Sequence, residues 1–521
     1  MNTAVVTIIS KNYLCYARTL MQSVTAAHPE WRQYVLMVDE ISGDIDPSKE
    51  EFHLVEVARL PLPDRRRFYF RYSLLELNTA VKPWVLEWLF EHEGFDRVVY
   101  IDPDIYVFDR LTDVEEILDA GALMVLTPHL TGMLDDDGFP GELDILRTGS
   151  FNLGFIALSR HPSLGRFLKW WQGKLEFTCM VEPDKGFFYD QRWMDFAPGM
   201  FDDVVILRHD GYNVAHWNLY QRNITVQGGK YLVNGKPLVF WHFSSFSSRD
   251  PDGPEQLSKN HDRVQLTNRE PIKSIARNYA TRLAENGLET CSDMPYAFGF
   301  FSNGEPIPYW IRKAYREDET FQRAAGDDPF STTIQFLNQP SSERDRADEP
   351  ITNAMQYYWR VKLDLQASFP NFPHQREDRH RFIEWLVWCG ARSSDFPKAC
   401  LIPLQAYFRE NPSLDEALKT PSGATESRGS YWIGVLLRGD DSRFLVDAYE
   451  AILKRYPDPT GFARFLADLR RGVSRIEILY AMRYSDEGNK IAAKLPGLRP
   501  LYIWRKIRRR GNRAKQFITK A

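Results

Sequence analysis

The sequence predicts an α/β domain over residues 1–265 followed by mainly α-helical domains. Three observations carry that expectation. β-branched apolar runs alternate with helix-period segments through the first half, the pattern of strand–helix units. After about residue 266 the texture changes to helical patterns rich in Arg, Glu and Trp. At 521 residues, 43% hydrophobic and 26% charged, the chain has a soluble globular composition and is too long for one core.

In chain order, AVVTIIS (4–10) reads as a buried strand ending on Ser10, Lys11 and Asn12. YARTLMQSVTAAH (16–28) has helical spacing through Leu20, Met21 and Val24. QYVLMVDE (33–40) is a second strand, ending on Asp39 and Glu40. LLELNTAVKPWVLEWLFEHEG (74–94) is an amphipathic helix that Pro83 kinks or breaks. RVVYID (97–102), ALMVLTP (122–128), GFIALS (154–159), VVILR (204–208) and LVFWHF (238–243) supply further strands, and Asn234-Gly235 between apolar residues marks a hairpin. NQPSSERDRADEP (338–350) is a polar loop and LKTPSGATESRGS (418–430) reads as a linker. The expected parts are therefore 1–265, an accessory helical domain at 266–425, a small helical domain at 426–498 and a basic tail at 499–521.

A formal net charge of −4 gives no ground for a nucleic-acid partner. The tail, however, concentrates nine Lys and Arg and no acid, with Tyr502, Ile503, Trp504 and Ile507 interleaved. Such a segment either sits on anionic lipid, gaining ~1 kcal/mol per basic residue, or is a solvated tail. Five scattered cysteines without a CxxC fit a reducing compartment. The start MNTAVVTIISKNY lacks a basic n-region, and no stretch approaches the ~20 apolar residues of a membrane span. The expected location is cytoplasmic, with any contact to the inner face of the plasma membrane peripheral.

Chemistry concentrates at VVYIDPDIYVFDRL (98–111), where Asp102 and Asp104 follow an apolar strand. Ligands of open α/β sheets bind beyond the carboxyl ends of strands. Alternate residues of an extended segment point the same way, so both carboxylates can meet one cation. Mg²⁺ or Mn²⁺ takes one or two carboxylates and completes its sphere with substrate phosphates. The other reading of Asp-Pro-Asp is a plain turn. GSFNLGFIALS (149–159) places Asn152 and Gly154 at a strand start, where an amide can bond a sugar hydroxyl and glycine permits close approach. FFYDQRWMD (187–195) puts Asp190 and Gln191 at a helix start, and VFWHFSSF (239–246) ends a strand in His242, followed by Ser244 and Ser245. Taken singly, His242 reads as a core histidine, Asn152 as a turn residue and Asp190 as an N-cap. Together, two carboxylates and a distant His form a three-ligand divalent site with open positions.

The order TIISKNY, VLMVDE, NTAVKPW, YIDPDIYVF, FNLGF, DQRWMD, WHFSSF resembles a GT-A fold nucleotide-sugar glycosyltransferase, of the glycosyltransferase family 8 type, over about the first 265 residues. That resemblance implies a Rossmann-like mixed sheet with flanking helices. It also implies that Asp102, Asp104 and His242 bind Mn²⁺ or Mg²⁺ on the donor diphosphate, and that Lys82 faces the donor. Asn152, Gly154 and Asp190 hold the sugar, with Gln191 near the anomeric carbon; Thr7, Ile8, Asn12, Tyr13 and Asp39 cradle the nucleoside. The implied reaction transfers a sugar from a nucleotide-diphosphate sugar to a glycan, lipid-linked or protein acceptor in bacterial surface polysaccharide assembly, with retention. The chain departs from the family after His242, where FSSF replaces Gly and Lys-Pro-Trp. Ser244, Ser245, Arg249 or Lys259 would then substitute for the missing lysine on the leaving phosphate.

YAFGFFSNGEPIPYWIRKAYRE (296–317) resembles accessory segments that follow GT-A domains in some bacterial polysaccharide glycosyltransferases; its aromatics either line an acceptor groove or pack as core. VDAYEAILKRYPDPTGFARFLADLRRGVSRIEILYAMRYSDEG (446–488) resembles a small helical domain of unknown function that trails many bacterial glycosyltransferases, through Tyr449, Leu453, Arg455, Pro459, Gly461, Gly472, Ser474 and Ser485. Two alternatives stand beside the enzyme reading: a catalytically silent GT-A module that recruits partners, and a HAD-type phosphohydrolase, whose motif order this chain does not follow.

Overall fold

In the computed structural model, which describes residues 1–42, 45–248, 270–341, 351–390, 395–404, 433–437 and 439–505, the run TAVVTII forms strand β1 (Thr3–Ile9), buried along its whole length. β2 (Arg32–Met37), β3 (His53–Glu56), β4 (Arg97–Ile101), β5 (Ile105–Val107), β6 (Met124–Pro128), β7 (Phe151–Ser159), β8 (Val204–Ile206) and β9 (Phe240–His242) follow. Seven of these build one sheet in the order β8-β6-β7-β4-β1-β2-β3. β7 runs antiparallel to both β4 and β6, whereas the other pairs are parallel. The sheet is thus mixed, as the α/β reading and the resemblance anticipated. All nine residues of β7 and all five of β4 are buried, which is why both read as continuous apolar runs.

Helix α1 (Leu14–Ala27) packs Leu20, Met21 and Val24 into a core with Val5, Val35, Val99 and Phe155. The expected 74–94 helix is two helices, α2 (Leu74–Ala80) and α3 (Lys82–Glu91). Pro83 sits in the first turn of α3, where its missing N–H would have had no intrahelical partner. Ser73 and Glu76 close a capping box on α2. The Asn234-Gly235 hairpin forms between strands Lys230–Val233 and Lys236–Pro237, with φ of 51° and 84° at its two central residues.

Two compact units emerge, Met1–Gly299 and Phe300–Ala521. The sequence reading ended the first part at 265. The structure instead keeps α4 (Glu270–Glu285) with the sheet, because its stripe Ile272, Ile275, Tyr279 and Leu283 shares a core cluster with Val214, Leu238, Trp241 and Phe243. The Tyr279 ring stacks on Phe243 at 3.8 Å and 8°. Each such apolar side chain contributes roughly 1.5–3 kcal/mol on burial.

The second unit is mainly helical. Four of its helices, Asp441–Leu453, Pro459–Arg470, Arg475–Arg483 and Asp486–Ile491, are each capped by an Asp or Ser side chain: Asp440, Asp458, Ser474 and Ser485. Gly461 is required there, since a Cβ would lie 2.0 Å from the Tyr449 hydroxyl. Arg455 ties Asp458 to Glu487. The predicted linker 418–430, with its boundary at 425, lies outside the described residues, as do Arg249, Lys259 and the tail beyond Arg505. Among the described residues no helix is long and apolar enough to cross a membrane.

Candidate functional site

Asp102 directly follows β4, and the Ile105 N–H closes a turn onto its carbonyl at 3.1 Å. The segment is therefore not extended, as the alternation argument assumed. Proline and the tight turn bring the two carboxylates together, so the turn and the cluster are one feature. Beyond the turn β5 pairs antiparallel with β9, setting Ile105 opposite His242. His242 Nε2 lies 3.2 Å from Asp104 Oδ1 and 3.8 Å from Asp102 Oδ2. Ligand atoms of all three residues fall within 4.8 Å of one another.

Electrostatics at this corner are governed by burial. It raises the Asp102 pKa, and nearby Lys82 and His242 only partly offset it. The Tyr100 hydroxyl donates to Asp102 Oδ1 at 2.5 Å, and the Asp102 N–H to the Gly154 carbonyl at 2.7 Å. For His242, burial disfavours the charged ring, yet Asp104 and then Asp102 outweigh it and raise the pKa. Among the described residues neither Asp102 nor Asp104 has a Lys or Arg ion-pair partner. Two oxygen donors and an imidazole suit a divalent cation such as Mn²⁺ or Mg²⁺, with the nitrogen favouring Mn²⁺.

Asn152 and Gly154 reach the same corner from β7. Asn152 Oδ1 is 3.0 Å from His242 Nδ1, and its Nδ2 is 3.2 Å from His129 Nε2. Gly154 gives the close approach the sequence suggested, but to protein atoms. A Cβ there would meet His242 Cε1 at 2.5 Å and both Asn152 Oδ1 and Asp102 Oδ2 at 2.9 Å.

Asp190 occupies the N-cap position of the short helix Gln191–Met194, but its side chain does not cap it. Its carboxylate accepts from Lys82 Nζ at 2.6 Å, and that ammonium also donates to the Leu153 carbonyl at 2.8 Å and lies over the Tyr100 ring. Lys82 is only 2% exposed, so its charge is committed to Asp190. Burial raises the Asp190 pKa and Lys82 opposes it. The Gln191 amide donates to the Thr148 carbonyl at 2.9 Å and accepts from the Leu153 N–H at 3.4 Å.

At the end of β1, Thr7 and Ile8 are buried within the sheet, Asn12 accepts from the Ser10 hydroxyl at 2.6 Å, and Tyr13 is 38% exposed and stacked on Tyr16. The Tyr13 pKa is raised by burial and by the charge of Asp104. Asp39 is buried, with Oδ1 accepting from the N–H groups of Glu40 and Ala297, both at 2.9 Å, and paired with Lys11 at 3.5 Å. Its Oδ2 is buried without a hydrogen-bond partner among the described residues. A cavity of about 420 Å³ lined by Asp39, Glu40, Glu56, Arg66, Tyr69 and Phe298 adjoins it and includes none of the three cluster residues. Ser244 and Ser245 form the turn after β9, closed by the Phe246 N–H to the Phe243 carbonyl, with Ser245 at φ 60°.

Sequence reasoning missed Tyr100 and His129. Tyr100 carried a faint signal as a polar-tipped residue two before Asp102; His129 carried only its place directly after the strand ALMVLTP, at a carboxyl end.

Comparison with known proteins gives three results. Residues 438–491 match the family model described as Domain of unknown function (DUF4214). The chain is 25% identical over 260 residues to the uncharacterized protein YfnF of Bacillus subtilis (strain 168), spanning 47% of this chain and 82% of that protein. It is 24% identical over 247 residues to the uncharacterized protein YfnD of the same strain, spanning 46% and 77%. Similar solved structures include the galactosyltransferase LgtC in complex with donor and acceptor sugar analogs, at 19% identity, 56% of this chain, 97% of that chain and a TM-score of 0.29. Another is the glycosyltransferase GlyE in Streptococcus pneumoniae TIGR4, at 16% identity, 58%, 67% and a TM-score of 0.30. TM-scores of this size assign nothing by themselves, so function must be read from the residues.

Proposed function

We propose that the first unit is a metal-dependent glycosyltransferase of the GT-A, family 8 type. It moves a sugar from a nucleotide-diphosphate sugar to a glycan, lipid-linked or protein acceptor in bacterial surface polysaccharide assembly, with retention of configuration. The observation that carries this reading is the convergence of Asp102, Asp104 and His242 at the carboxyl end of β4, without a Lys or Arg ion-pair partner among the described residues.

In this reading Asp102, Asp104 and His242 would hold Mn²⁺ or Mg²⁺, which supplies Lewis-acid stabilisation of the diphosphate leaving group. The protein's own groups do the rest. Asp39 Oδ2, buried and without a hydrogen-bond partner among the described residues, would accept from a ribose hydroxyl or base N–H, and Thr7, Ile8, Asn12 and Tyr13 would complete the nucleoside site. Asp190 stabilises the positive charge that develops on the sugar ring, and Lys82 opposes the burial that would neutralise it. Gln191, anchored on Thr148 and Leu153, presents its amide to the anomeric centre. Ser244 or Ser245 of the β9 turn would bond the leaving phosphate in place of a lysine.

Asp104→Ala should abolish sugar transfer while the protein stays folded, and full activity in that variant would remove the metal assignment. Nuclear magnetic resonance of the first-formed product should show the donor's anomeric configuration; inversion would sink the retaining mechanism. The Ser244-Ser245 turn in place of a lysine favours a second reading, a catalytically silent module acting as a scaffold. That reading predicts metal-dependent binding of a sugar nucleotide with no turnover.

A further inference from the structure

We propose that His129 is a positioning residue for the cation site: it fixes the rotation of the Asn152 side-chain amide and thereby selects which nitrogen of His242 faces Asp102 and Asp104. The inference rests on the cation role proposed above for those three residues.

Asn152, 6% exposed, is held between two imidazoles. Its Nδ2 lies 3.2 Å from His129 Nε2 and its Oδ1 lies 3.0 Å from His242 Nδ1. An amide nitrogen only donates and an amide oxygen only accepts. With the oxygen towards His242, Nδ1 must carry a proton. Nε2, 3.2 Å from Asp104 and 3.8 Å from Asp102, is then the nitrogen whose lone pair is available to a cation. With the amide rotated by half a turn, its NH₂ group would face Nδ1, which would have to accept. The ring proton would then sit on Nε2 and leave no lone pair for the cation. The two ends of an amide are nearly equal in size, so packing alone does not choose between them.

The choice is made at the other end. His129 Nε2 can accept from Asn152 only while its ring is neutral, and the ring is 4% exposed. Burial pushes its pKa down to about 4, which keeps the ring neutral at neutral pH, and Nε2 accepts in the tautomer that carries the ring proton on Nδ1. Trp217 meets both rings edge-on, at 5.4 Å and 64° for His129 and at 5.4 Å and 82° for His242, which fixes their planes. Backbone bonds hold the His129 main chain: its N–H donates to Ser150 at 3.0 Å, and its carbonyl accepts from Asn218 Nδ2 at 3.2 Å. The hydrogen bond made by the other ring nitrogen of a ligating His sets its tautomer. Here that bond is itself set one residue further out.

The test uses the full chain and Mn²⁺ alone, measured by titration calorimetry, with three variants. His129→Leu removes the acceptor and should weaken Mn²⁺ binding about 10–100-fold. His129→Gln offers an amide oxygen to the same Asn152 N–H and should restore affinity to within about threefold of wild type. Asp104→Ala should abolish binding. Wild-type binding by His129→Leu beside lost binding by Asp104→Ala overturns the role of His129 and leaves the cation site standing. Wild-type binding by Asp104→Ala removes the site and the proposal together. A readout on the unmutated protein covers the case in which His129→Leu fails to fold. Long-range ¹H–¹⁵N correlation of the Mg²⁺-loaded, ¹⁵N-histidine-labelled protein should show His242 protonated on Nδ1, and an unprotonated Nδ1 contradicts the proposal.

Discussion

Among the described residues of the first unit, two places gather a histidine and two carboxylates with ligand atoms within 4.8 Å: Asp102, Asp104 and His242, and His28, Glu30 and Glu115. The residue types are nearly the same, but the hydrogen bonds differ. His28 Nε2 accepts the Leu111 N–H at 2.9 Å, so the ring proton sits on Nδ1, 3.5 Å from Glu30 and 3.9 Å from Glu115. Arg110 already bridges those two carboxylates, and Trp31 stacks on the ring at 3.6 Å. That cluster has its cation and its lone pair is turned to the backbone; it is a latch between α1 and the segment after β5. His242 is anchored through Nδ1 and presents Nε2 to two carboxylates that no described Arg or Lys pairs with. The two clusters differ in that the engaged nitrogen of His28 accepts from the backbone, whereas that of His242 meets the Asn152 side-chain oxygen.

The largest effect that would break this comparison is at Asp104. Asp104→Ala should lower turnover at least about 1,000-fold, since a Lewis acid contributes several kcal/mol to the transition state and ~1.4 kcal/mol is tenfold. Its melting temperature without metal should stay close to wild type. Next comes Gly154→Ala, whose Cβ lands 2.5 Å from His242 Cε1. Displacing that ring should weaken Mn²⁺ binding at least tenfold, and overpacking should cost about 1–3 kcal/mol in denaturant unfolding.

A smaller effect involves neutral buried histidines, present beside both clusters. Burial lowers the pKa of His28, and that of His129 to about 4, so the folded state resists protons that the unfolded chain accepts below about 6.5. The contribution of these two histidines to stability should therefore be full above pH 6.5 and be lost as pH drops through about 4, and His129→Gln should flatten part of that slope in urea titrations. The smallest effect belongs to the latch. Glu115→Gln should leave Mn²⁺ affinity unchanged and cost less than about 1 kcal/mol, because Arg110 and Glu30 are both solvent-exposed. A shift in Mn²⁺ affinity there would erase the distinction between the clusters.

Much of the sheet was legible because β1, β4 and β7 are buried throughout and read as apolar runs. β3 and β5, of four and three residues with mixed burial, were too short to leave a periodic signal. The helix break at Pro83 and the Asn234-Gly235 turn were legible because proline and glycine act locally. The grouping of Asp102, Asp104 and His242 was legible from residue types at strand ends, but the pairings around it were not. Lys82 pairs with Asp190 across 108 positions, and Asn152 joins His129 to His242 through space. The end of the first part was misplaced because the stripe on α4 reads the same whether it packs on the sheet or starts a new domain.

The most direct test is thermal stability of the full chain against a panel of nucleotide sugars, with and without Mn²⁺. The account predicts that at least one nucleotide sugar raises the melting temperature in the presence of Mn²⁺ and not in its absence, and that Asp104→Ala loses the effect. No Mn²⁺-dependent stabilisation by any sugar nucleotide would contradict it.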